Sequence, residues 1–316
     1  MIIKRDILKE HPFLRAMVPE HRSVIAQGAE DKVFREGEIL CREGQPANRL
    51  YLVNSGKVAL ETHVPGRGDV LVASLGPGQV IGWSWLVAPF VWQFQVRALE
   101  PTDATVLNGG HLLVACEQNH YLGYELMRDI GKVILEVLLA AHERWLQTGH
   151  RPKMNSPDNP TVSPPEPAQA IGTRISRHAF FHGMAEPYLK ILEDLAQPIE
   201  FELGQRIFET GAPATGLFVL ERGRIILEAV RADGPVPVQA FGPGDAVGWS
   251  SFCEPYRWHF DGRAIEPVAT LFFGAAELRE HCARDYYLGY ELTKRTTRIM
   301  LQRLQAIRNR MWDAYR

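Results

Sequence analysis

The sequence GPGQVIGWSWLVAPFVWQFQVRALEP at residues 76–101 returns, with changes, as GPGDAVGWSSFCEPYRWHFDGRAIEP at residues 242–267. Gly82 and Gly248 are 166 residues apart, and four further pairs keep the same spacing: Trp83 and Trp249, Pro89 and Pro255, Trp92 and Trp258, and Phe94 and Phe260. A period this long indicates a duplicated domain, because solenoid repeats are only about 20–50 residues long.

The repeat extends to both sides of this stretch. LGYEL occurs at residues 122–126 and again at 288–292, 166 residues later, whereas His11 and His178 are 167 residues apart. One residue is therefore missing from the second copy, within residues 228–244. Glycine and proline in that segment predict a tight strand connection. A loop tolerates such a change in length, whereas in a packed strand it would move every side chain to the other face.

Each copy predicts a helical entry, a β-rich half and then long helices. Short apolar runs separated by glycine turns are typical of a sandwich or barrel. We expect a first domain at residues 1–147, a linker at 148–176 and a second domain at 177–316. The linker is rich in proline, which opposes both helix and sheet.

Apolar residues at helical spacing follow the β-rich part of each copy. This pattern is typical of the seam of a helix that packs against another helix. The seam residues are Leu126, Ile130, Val133 and Val137 in the first copy, and Met300, Leu304, Ile307 and Met311 in the second. Two arrangements stay open. The helices pair within one chain as an internal pseudo-dimer, or the second helix pairs between chains of a homo-oligomer.

Each copy resembles the cyclic-nucleotide-binding domain, which is the sensor domain of the catabolite-activator and FNR-like regulators. The first copy matches with FREGEI at residues 34–39, NRLYLV at 48–53, SGKV at 55–58 and LGPGQVIG at 75–82. The second copy matches with FELG at 201–204, GLFVL at 216–220 and FGPGD at 241–245. The resemblance implies a mainly β fold with helices: two jelly-roll-like β-rolls, each followed by a long C-terminal helix that moves or dimerises with the ligand state.

This chain departs from that family in the phosphate-binding cassette. The resemblance implies a glutamate for the ribose hydroxyl and an arginine for the cyclic phosphate. Here Trp83 and Trp249 stand at the glutamate position, and Trp92 and Trp258 fall in or beside the arginine position. An indole donates one hydrogen bond and carries no charge. High-affinity binding of cyclic AMP or cyclic GMP is therefore not expected, and the candidate ligands are a cyclic nucleotide or another small planar or anionic molecule.

The candidate ligand-binding residues lie in the two cassettes. They are Gly82, Trp83, Ser84, Trp85, Trp92, Gly248, Trp249, Ser250, Ser251, Arg257, Trp258, His259 and Arg263. The tryptophans either fill the rolls or stack on a planar ligand. Ser84 and Ser250 are either ligand contacts or helix N-caps. In the second copy Arg257, His259 and Arg263 form a polar pocket, or the polar residues belong to a row of surface ion pairs.

The composition argues against several other classes of function. A net charge of −2 gives no global basic footprint, and no DNA-binding region follows the basic last helix, so no DNA partner is expected. The four cysteines lack metal-ligand spacing, which predicts no metal site and a reducing, cytoplasmic setting. No apolar run is long enough for a membrane span. The sequence contains no nucleophile elbow or phosphate loop at diagnostic spacing, so we do not expect the protein to be an enzyme.

Taken together, these features predict a non-enzymatic cytoplasmic regulatory or adaptor protein. It would sense a small ligand of unknown identity, or bind a partner protein, through rearrangement of its long helices. The alternative is a structural scaffold subunit whose aromatic-filled rolls bind no ligand.

Overall fold

The first copy folds as a β-rich domain with helices at both ends. The computed structural model describes residues 10–86, 90–149 and 169–315. The elements of the first copy are α1 (Pro12–Arg15), α2 (Pro19–Ile25), β1 (Glu30–Phe34), β2 (Ile39–Cys41), β3 (Arg49–Ser55), β4 (Val58–Val64), β5 (Gly68–Leu75), β6 (Val80–Ile81), a 3₁₀ helix at Trp83–Leu86, β7 (Gln95–Ala98), β8 (Thr102–Asn108), α3 (Gly109–Gln118) and α4 (His120–Gln147).

The second copy repeats the order of the eight strands and the two helices that follow them, and its helical entry has three short helices. The elements of the second copy are α5 (Ile171–Arg177), a 3₁₀ helix at Ala179–Phe181, α6 (Glu186–Leu195), β9 (Gln197–Phe201), β10 (Arg206–Phe208), β11 (Gly216–Arg222), β12 (Ile225–Arg231), β13 (Gly234–Phe241), β14 (Ala246–Val247), a 3₁₀ helix at Trp249–Ser251, β15 (Asp261–Ala264), β16 (Val268–Gly274), α7 (Ala275–Arg284) and α8 (Tyr286–Tyr315). Helix α5 begins inside the segment that the sequence assigns to the linker, and residues 150–168 of that segment lie outside the described residues.

Each copy builds two four-stranded antiparallel sheets. In the first copy the strand orders are β1-β8-β3-β6 and β2-β7-β4-β5. In the second copy they are β9-β16-β11-β14 and β10-β15-β12-β13, which is the same topology eight strands later. The predicted fold class, two β-rolls each followed by a long helix, is confirmed.

The difference in length between the copies lies in one hairpin turn. Val64 pairs with Gly68 across residues 65–67 at the end of the β4–β5 hairpin. Arg231 pairs with Gly234 across residues 232–233 at the end of the β12–β13 hairpin. The missing residue therefore falls in the turn, as expected if strand register is to be preserved.

Polar side chains at equivalent positions begin the two long helices. Asn119 Oδ1 accepts a hydrogen bond from the backbone N–H of Leu122 at 3.2 Å. Asp285 Oδ1 accepts one from the N–H of Leu288 at 3.0 Å. Each carboxylate or amide oxygen satisfies a donor that the helix itself leaves unpaired. Both residues are N-caps, as the repeated LGYEL segment indicates.

One buried histidine lies at the helical entry to each roll. Nδ1 of His11 and of His178 accepts a hydrogen bond from the backbone N–H two residues later, at 3.3 and 3.1 Å. The other ring nitrogen lies 3.3 Å from the carbonyl oxygen of Val53 and 2.8 Å from that of Leu220, respectively. Burial lowers the pKa of both rings, which favours the neutral form that donates through one nitrogen and accepts through the other. Their role is structural.

The chain separates into two compact units whose limits differ from the repeat. One unit comprises Met1–Gly149 together with Met300–Arg316, and the other comprises His150–Ile299. The last part of α8 is thus a component of the first unit, although by sequence it belongs to the second copy. All eight predicted seam residues are buried: Leu126, Ile130, Val133, Val137, Met300, Leu304, Ile307 and Met311.

The cysteines are structural in character. All four are buried, and none of them forms a disulfide. Burial raises the pKa of Cys41 and of Cys282 to about 12, so both thiols stay protonated at neutral pH. Among the described residues, no cluster of His, Cys, Asp or Glu could hold a metal ion, and no helix is sufficiently long and apolar to cross a membrane.

His142 on α4 makes the stability of the first unit depend on pH. Its Nδ1 lies 3.0 Å from the carbonyl oxygen of Leu138. Burial, with a smaller contribution from the charge of Arg310, lowers the pKa of His142 to about 3. Histidine in the unfolded chain has a pKa of about 6.5. Below that pH the unfolded chain therefore binds a proton at His142 that the folded chain does not bind. This stabilisation is complete above pH 6.5 and declines as the pH falls, by up to about 1.4 kcal/mol per pH unit.

The substitution His142→Gln is expected to flatten that dependence. Urea unfolding at pH 7, 6 and 5 measures the slope of the unfolding free energy in both proteins. Because His11 and His178 keep their own contributions, the variant should lose only part of the slope. An identical slope in the two proteins would contradict the assignment.

Candidate ligand-binding cassettes

A glycine in left-handed conformation opens each cassette. Gly82 has φ of 104° and Gly248 has φ of 127°. A Cβ atom would lie 2.4 Å from the carbonyl oxygen of Arg49 in the first case and 2.3 Å from that of Gly216 in the second. Only glycine permits both the dihedral angle and the close approach of the backbones. The turn leads directly into the 3₁₀ helix that carries the cassette tryptophans.

The five predicted cassette tryptophans are all buried. None of them is more than 6% exposed: Trp83, Trp85, Trp92, Trp249 and Trp258. Rings enclosed to this degree contribute to the interior and present no open stacking platform to solvent.

The interior of the second roll is packed with aromatic rings. The ring of Trp258 stacks on Phe208 with centroids 4.0 Å apart and planes 15° from parallel. Phe208 in turn lies 6.0 Å from Phe218 of the other sheet. Gly262 makes this possible, because a Cβ there would lie 2.4 Å from the Phe208 ring. The indole of Trp258 is thus held in place by a neighbouring ring.

The first roll packs the corresponding space differently. Cys41 and Val96 occupy the repeat positions of Phe208 and Gly262. The ring of Trp92 lies 6.1 Å from that of Tyr51, whose hydroxyl donates to the carbonyl oxygen of Leu40 at 3.1 Å. Each copy therefore has its own complementary set of interior residues.

The cassette serines are buried and lie inside the 3₁₀ helices. Ser84 is within Trp83–Leu86 and Ser250 within Trp249–Ser251, so neither is an N-cap, and that interpretation is wrong. The hydroxyl of Ser251 donates to the carbonyl oxygen of Gly248 at 2.7 Å and closes the turn. Ser250 Oγ lies 3.2 Å from Nδ1 of His259.

The three residues of the predicted polar pocket have separate partners. Arg257 is exposed and donates to the carbonyl oxygen of Gly211 at 2.6 Å. Arg263 donates from Nε to Glu228 at 2.9 Å, and this hydrogen bond raises the pKa of Arg263. His259 is half-buried, and burial lowers its pKa, which favours a neutral ring. Of the three, only His259 has a hydrogen-bond partner within the cassette.

Arg279 on α7 is a cassette contact that the sequence did not indicate. Its guanidinium donates to the carbonyl oxygen of Ser251 at 2.7 Å and lies 4.4 Å from the centroid of the Tyr256 ring. Tyr256 itself has φ of 56°, as does Phe90 at the same position of the first copy. A bulky residue rarely adopts this backbone region, so both cassettes contain a strained residue.

Gln239 on β13 is the second residue that sequence reasoning missed. Its side chain is fully buried, and neither amide atom has a hydrogen-bond partner among the described residues. The first copy has Ala73 at this position. The available signal was that the same repeat position is polar in the second copy and apolar in the first.

Paired β-rolls, each with a glycine-led 3₁₀ turn and a following long helix, define the cyclic-nucleotide-binding-like architectural class. A model of the family described as "Cyclic nucleotide-binding domain" matches residues 31–119 and 198–285, which is more than half of the chain. The chain belongs to the cyclic nucleotide-binding domain family and carries the domain twice.

Known relatives include regulators of two kinds. The cyclic AMP receptor protein of Thermus thermophilus is 28% identical over 141 residues, covering 43% of this chain and 65% of that protein. The cAMP-dependent protein kinase regulatory subunit of Hypocrea atroviridis is 31% identical over 77 residues, covering 24% and 16%. The chain spans less than two thirds of either relative. The regulatory domain of Toxoplasma gondii PKA with cAMP is 14% identical with a TM-score of 0.32, covering 87% of this chain and 89% of that one.

Proposed function

We propose that this chain is a non-enzymatic regulatory or adaptor protein that senses a small ligand, or holds a partner protein, through its last helix. It does not bind cyclic AMP or cyclic GMP with high affinity. The observation that carries this proposal is the stack of Trp258 on Phe208 inside the second roll. The family's arginine is replaced there by an uncharged ring, and the ring is itself a packing element.

Electrostatics supports the loss of cyclic-nucleotide affinity. A buried phosphate is stabilised by charge-assisted hydrogen bonds, and the bidentate guanidinium is the strongest donor for it. Trp92 and Trp258 offer no charge at that place. Arg263 is engaged with Glu228, and its counterpart Arg97 donates to Glu61 at 2.9 Å. Desolvating an anion without a paired cation costs several kcal/mol.

The contact of Arg308 with the first roll supports an output through the last helix. Nη1 of Arg308 on α8 lies 2.9 Å from Glu43 Oε1 and 2.9 Å from the carbonyl oxygen of Gln93. Gln93 directly follows Trp92 of the first cassette. A rearrangement of that cassette would therefore alter the contacts of α8, and α8 would present the change to a partner protein.

The grouping of Met300–Arg316 with the first unit favours the internal pseudo-dimer over pairing between chains. Light scattering tests this, since a monomeric mass is expected and a dimer joined through α8 would contradict it. Four buried cysteines that form no disulfide fit the proposed cytoplasmic, reducing location. No DNA partner is proposed.

The alternative function is a scaffold subunit with no ligand. The aromatic packing of the second roll favours it, because a roll filled by its own side chains needs no ligand for stability.

Calorimetry with cyclic AMP and cyclic GMP tests the proposal. Dissociation constants weaker than about 10 μM are expected, since two charged contacts worth about 1.5–3 kcal/mol each are missing. Submicromolar binding of either nucleotide would overturn it. Hydrogen exchange of residues 300–311 in the presence of a wider ligand panel separates the two functions. A ligand that changes the exchange rate of these residues supports the sensor function. If no ligand of the panel changes it, the scaffold function is supported.

A further inference from the structure

A groove on the first unit lies between its helical entry and α4. It has a volume of about 310 Å³. Its apolar lining comes from Pro12 and Phe13 of the entry, from Pro77 and Gly78 of the turn before β6, and from Val133 of α4. None of its described lining residues belongs to a cassette. The groove is therefore separate from the candidate ligand-binding cassettes.

Two carboxylates line the groove, and they differ in their partners. Asp129 is buried, and its Oδ1 lies 3.1 Å from Nε of Arg128 and 3.4 Å from Nζ of Lys132. Glu136 is exposed, and its Oε2 accepts a hydrogen bond from Gln79 Nε2 at 3.2 Å. In the part of the chain that the structure describes, no cation forms an ion pair with Glu136. A cation in the groove would therefore pair with Glu136 without displacing an existing ion pair.

The second copy places an arginine of its own at the corresponding helical entry. Arg295 on α8 stands at the repeat position of Asp129. Its Nη1 donates to the carbonyl oxygens of Phe180 and His182, at 2.9 Å in both cases. The entry of the second copy thus accepts a guanidinium from the long helix of the same copy. In the first copy the long helix has a carboxylate at that position and supplies no such group.

Helix α2 compensates for this difference only in part. Nη1 of Arg22 donates to the carbonyl oxygen of Arg15 at 3.0 Å, and Arg15 is the repeat counterpart of His182. Neither of these two arginines is among the described lining residues of the groove, whereas Phe13, the counterpart of Phe180, lines it. The groove therefore adjoins the carbonyl position that α2 does not serve.

We propose that this groove binds an arginine side chain of a partner protein. The methylene stem packs on the apolar surface of Pro12, Pro77 and Val133, as long basic side chains do elsewhere. The guanidinium pairs with the carboxylate of Glu136, and its planar fork suits a carboxylate better than the point charge of a lysine does. The partner thus supplies to the first copy what Arg295 supplies to the second.

This docking site goes beyond the proposed function, because it lies outside both rolls and does not depend on a ligand in either of them. It also differs from the contact of Arg308, which is made by α8 of the same chain. A single exposed ion pair is weak, so one arginine alone should bind with a dissociation constant of about 1–10 mM. The remaining contacts of a folded partner would add to that affinity.

NMR of the full chain with labelled alanine and valine methyl groups tests the proposal. The probe is N-acetyl-L-argininamide, which presents the side chain without a free carboxylate or amine. Ala16 and Val133 both line the groove, so their methyl signals should shift on titration with the probe. N-acetyl-L-lysinamide should bind at least about threefold more weakly, because it lacks the planar fork. N-acetyl-L-glutaminamide, which is uncharged, should produce no shift.

Three variants identify the groups responsible. Glu136→Gln should weaken binding of the argininamide at least about threefold, because it removes the charge and keeps an acceptor for Gln79. Glu143→Gln is the matched control, since Glu143 is exposed on the same helix and is not among the described lining residues, and it should leave the affinity unchanged. Asp129→Arg copies the arrangement of the second copy and should abolish binding. A thermal melt establishes that each variant is folded.

The proposal is overturned if the argininamide at about 20 mM shifts neither methyl signal, or if the glutaminamide shifts them equally. It is also overturned if Glu136→Gln and Glu143→Gln bind the probe with the same affinity. Free L-arginine serves as the last probe. If it bound at least about tenfold more tightly than the argininamide, the groove would be a site for the amino acid and not for a protein side chain.

Discussion

Replacing Gly262 with valine is expected to lower the free energy of unfolding of the second domain by about 2–3 kcal/mol, because it overpacks the roll interior. The new Cβ would lie 2.4 Å from the ring of Phe208. That ring cannot move aside freely, since it is stacked on Trp258 with centroids 4.0 Å apart. Urea unfolding, followed by the fluorescence of the buried tryptophans, measures the loss.

The first roll shows how the same position accommodates a valine. Val96 stands there, opposite Cys41 where the second roll has Phe208. Phe208→Cys alone should cost about 3–4 kcal/mol through the cavity it leaves. In the double variant Gly262→Val/Phe208→Cys, the valine occupies part of that cavity. The loss of unfolding free energy in the double variant should therefore be smaller than the sum of the two single losses by at least about 1 kcal/mol. Additive costs would show that the two residues are not a complementary pair.

Leu304→Ala is expected to destabilise the first unit by about 2–5 kcal/mol, although residue 304 belongs by sequence to the second copy. Leu304 is 1% exposed, and Met300–Arg316 is part of the compact unit that contains Met1–Gly149. Truncating the side chain leaves a cavity among residues of that unit. Hydrogen exchange measured peptide by peptide should therefore accelerate in the first copy, including α4.

Leu288→Ala is the matched control for that experiment. Leu288 is also completely buried and lies on the same helix, but it belongs to the unit His150–Ile299. Its replacement should accelerate exchange in the second copy. If Leu304→Ala instead loosened only the second copy, the assignment of the end of α8 to the first unit would be refuted.

Much of the fold could be predicted from features that act locally along the chain. The positive φ of Gly82 and Gly248 and the N-caps Asn119 and Asp285 depend on a few neighbouring residues, and a 166-residue repeat shows each of them twice. The hairpin that lost a residue was also predictable, because strand register tolerates such a change only in a turn.

The site was predicted only in part. The sequence left open whether the cassette tryptophans fill the rolls or stack on a ligand, and the structure places all five in the interior. The interpretation of Ser84 and Ser250 as N-caps was wrong, because each 3₁₀ helix begins two residues earlier than that interpretation requires. Arg279 could not be found, since it reaches Ser251 from a helix that follows the roll. The sequence offered Arg263 as a candidate for a polar pocket, and its hydrogen-bond partner Glu228 lies 35 residues away on a neighbouring strand.

By itself, the sequence determined that the chain is a duplicated β-roll and where the glycine turns fall, and it predicts that tryptophan replaces the arginine that the family resemblance implies. These properties depend on residue type, backbone freedom and spacing, all of which are read directly from the sequence. Tertiary structure alone decided that the end of α8 belongs to the first unit and that Phe208 and Gly262 are complementary. It also decided that the buried amide of Gln239 has no hydrogen-bond partner within the described part of the chain. These three features depend on contacts between side chains of strands and helices that are distant in the sequence. Close packing makes each of these contacts specific.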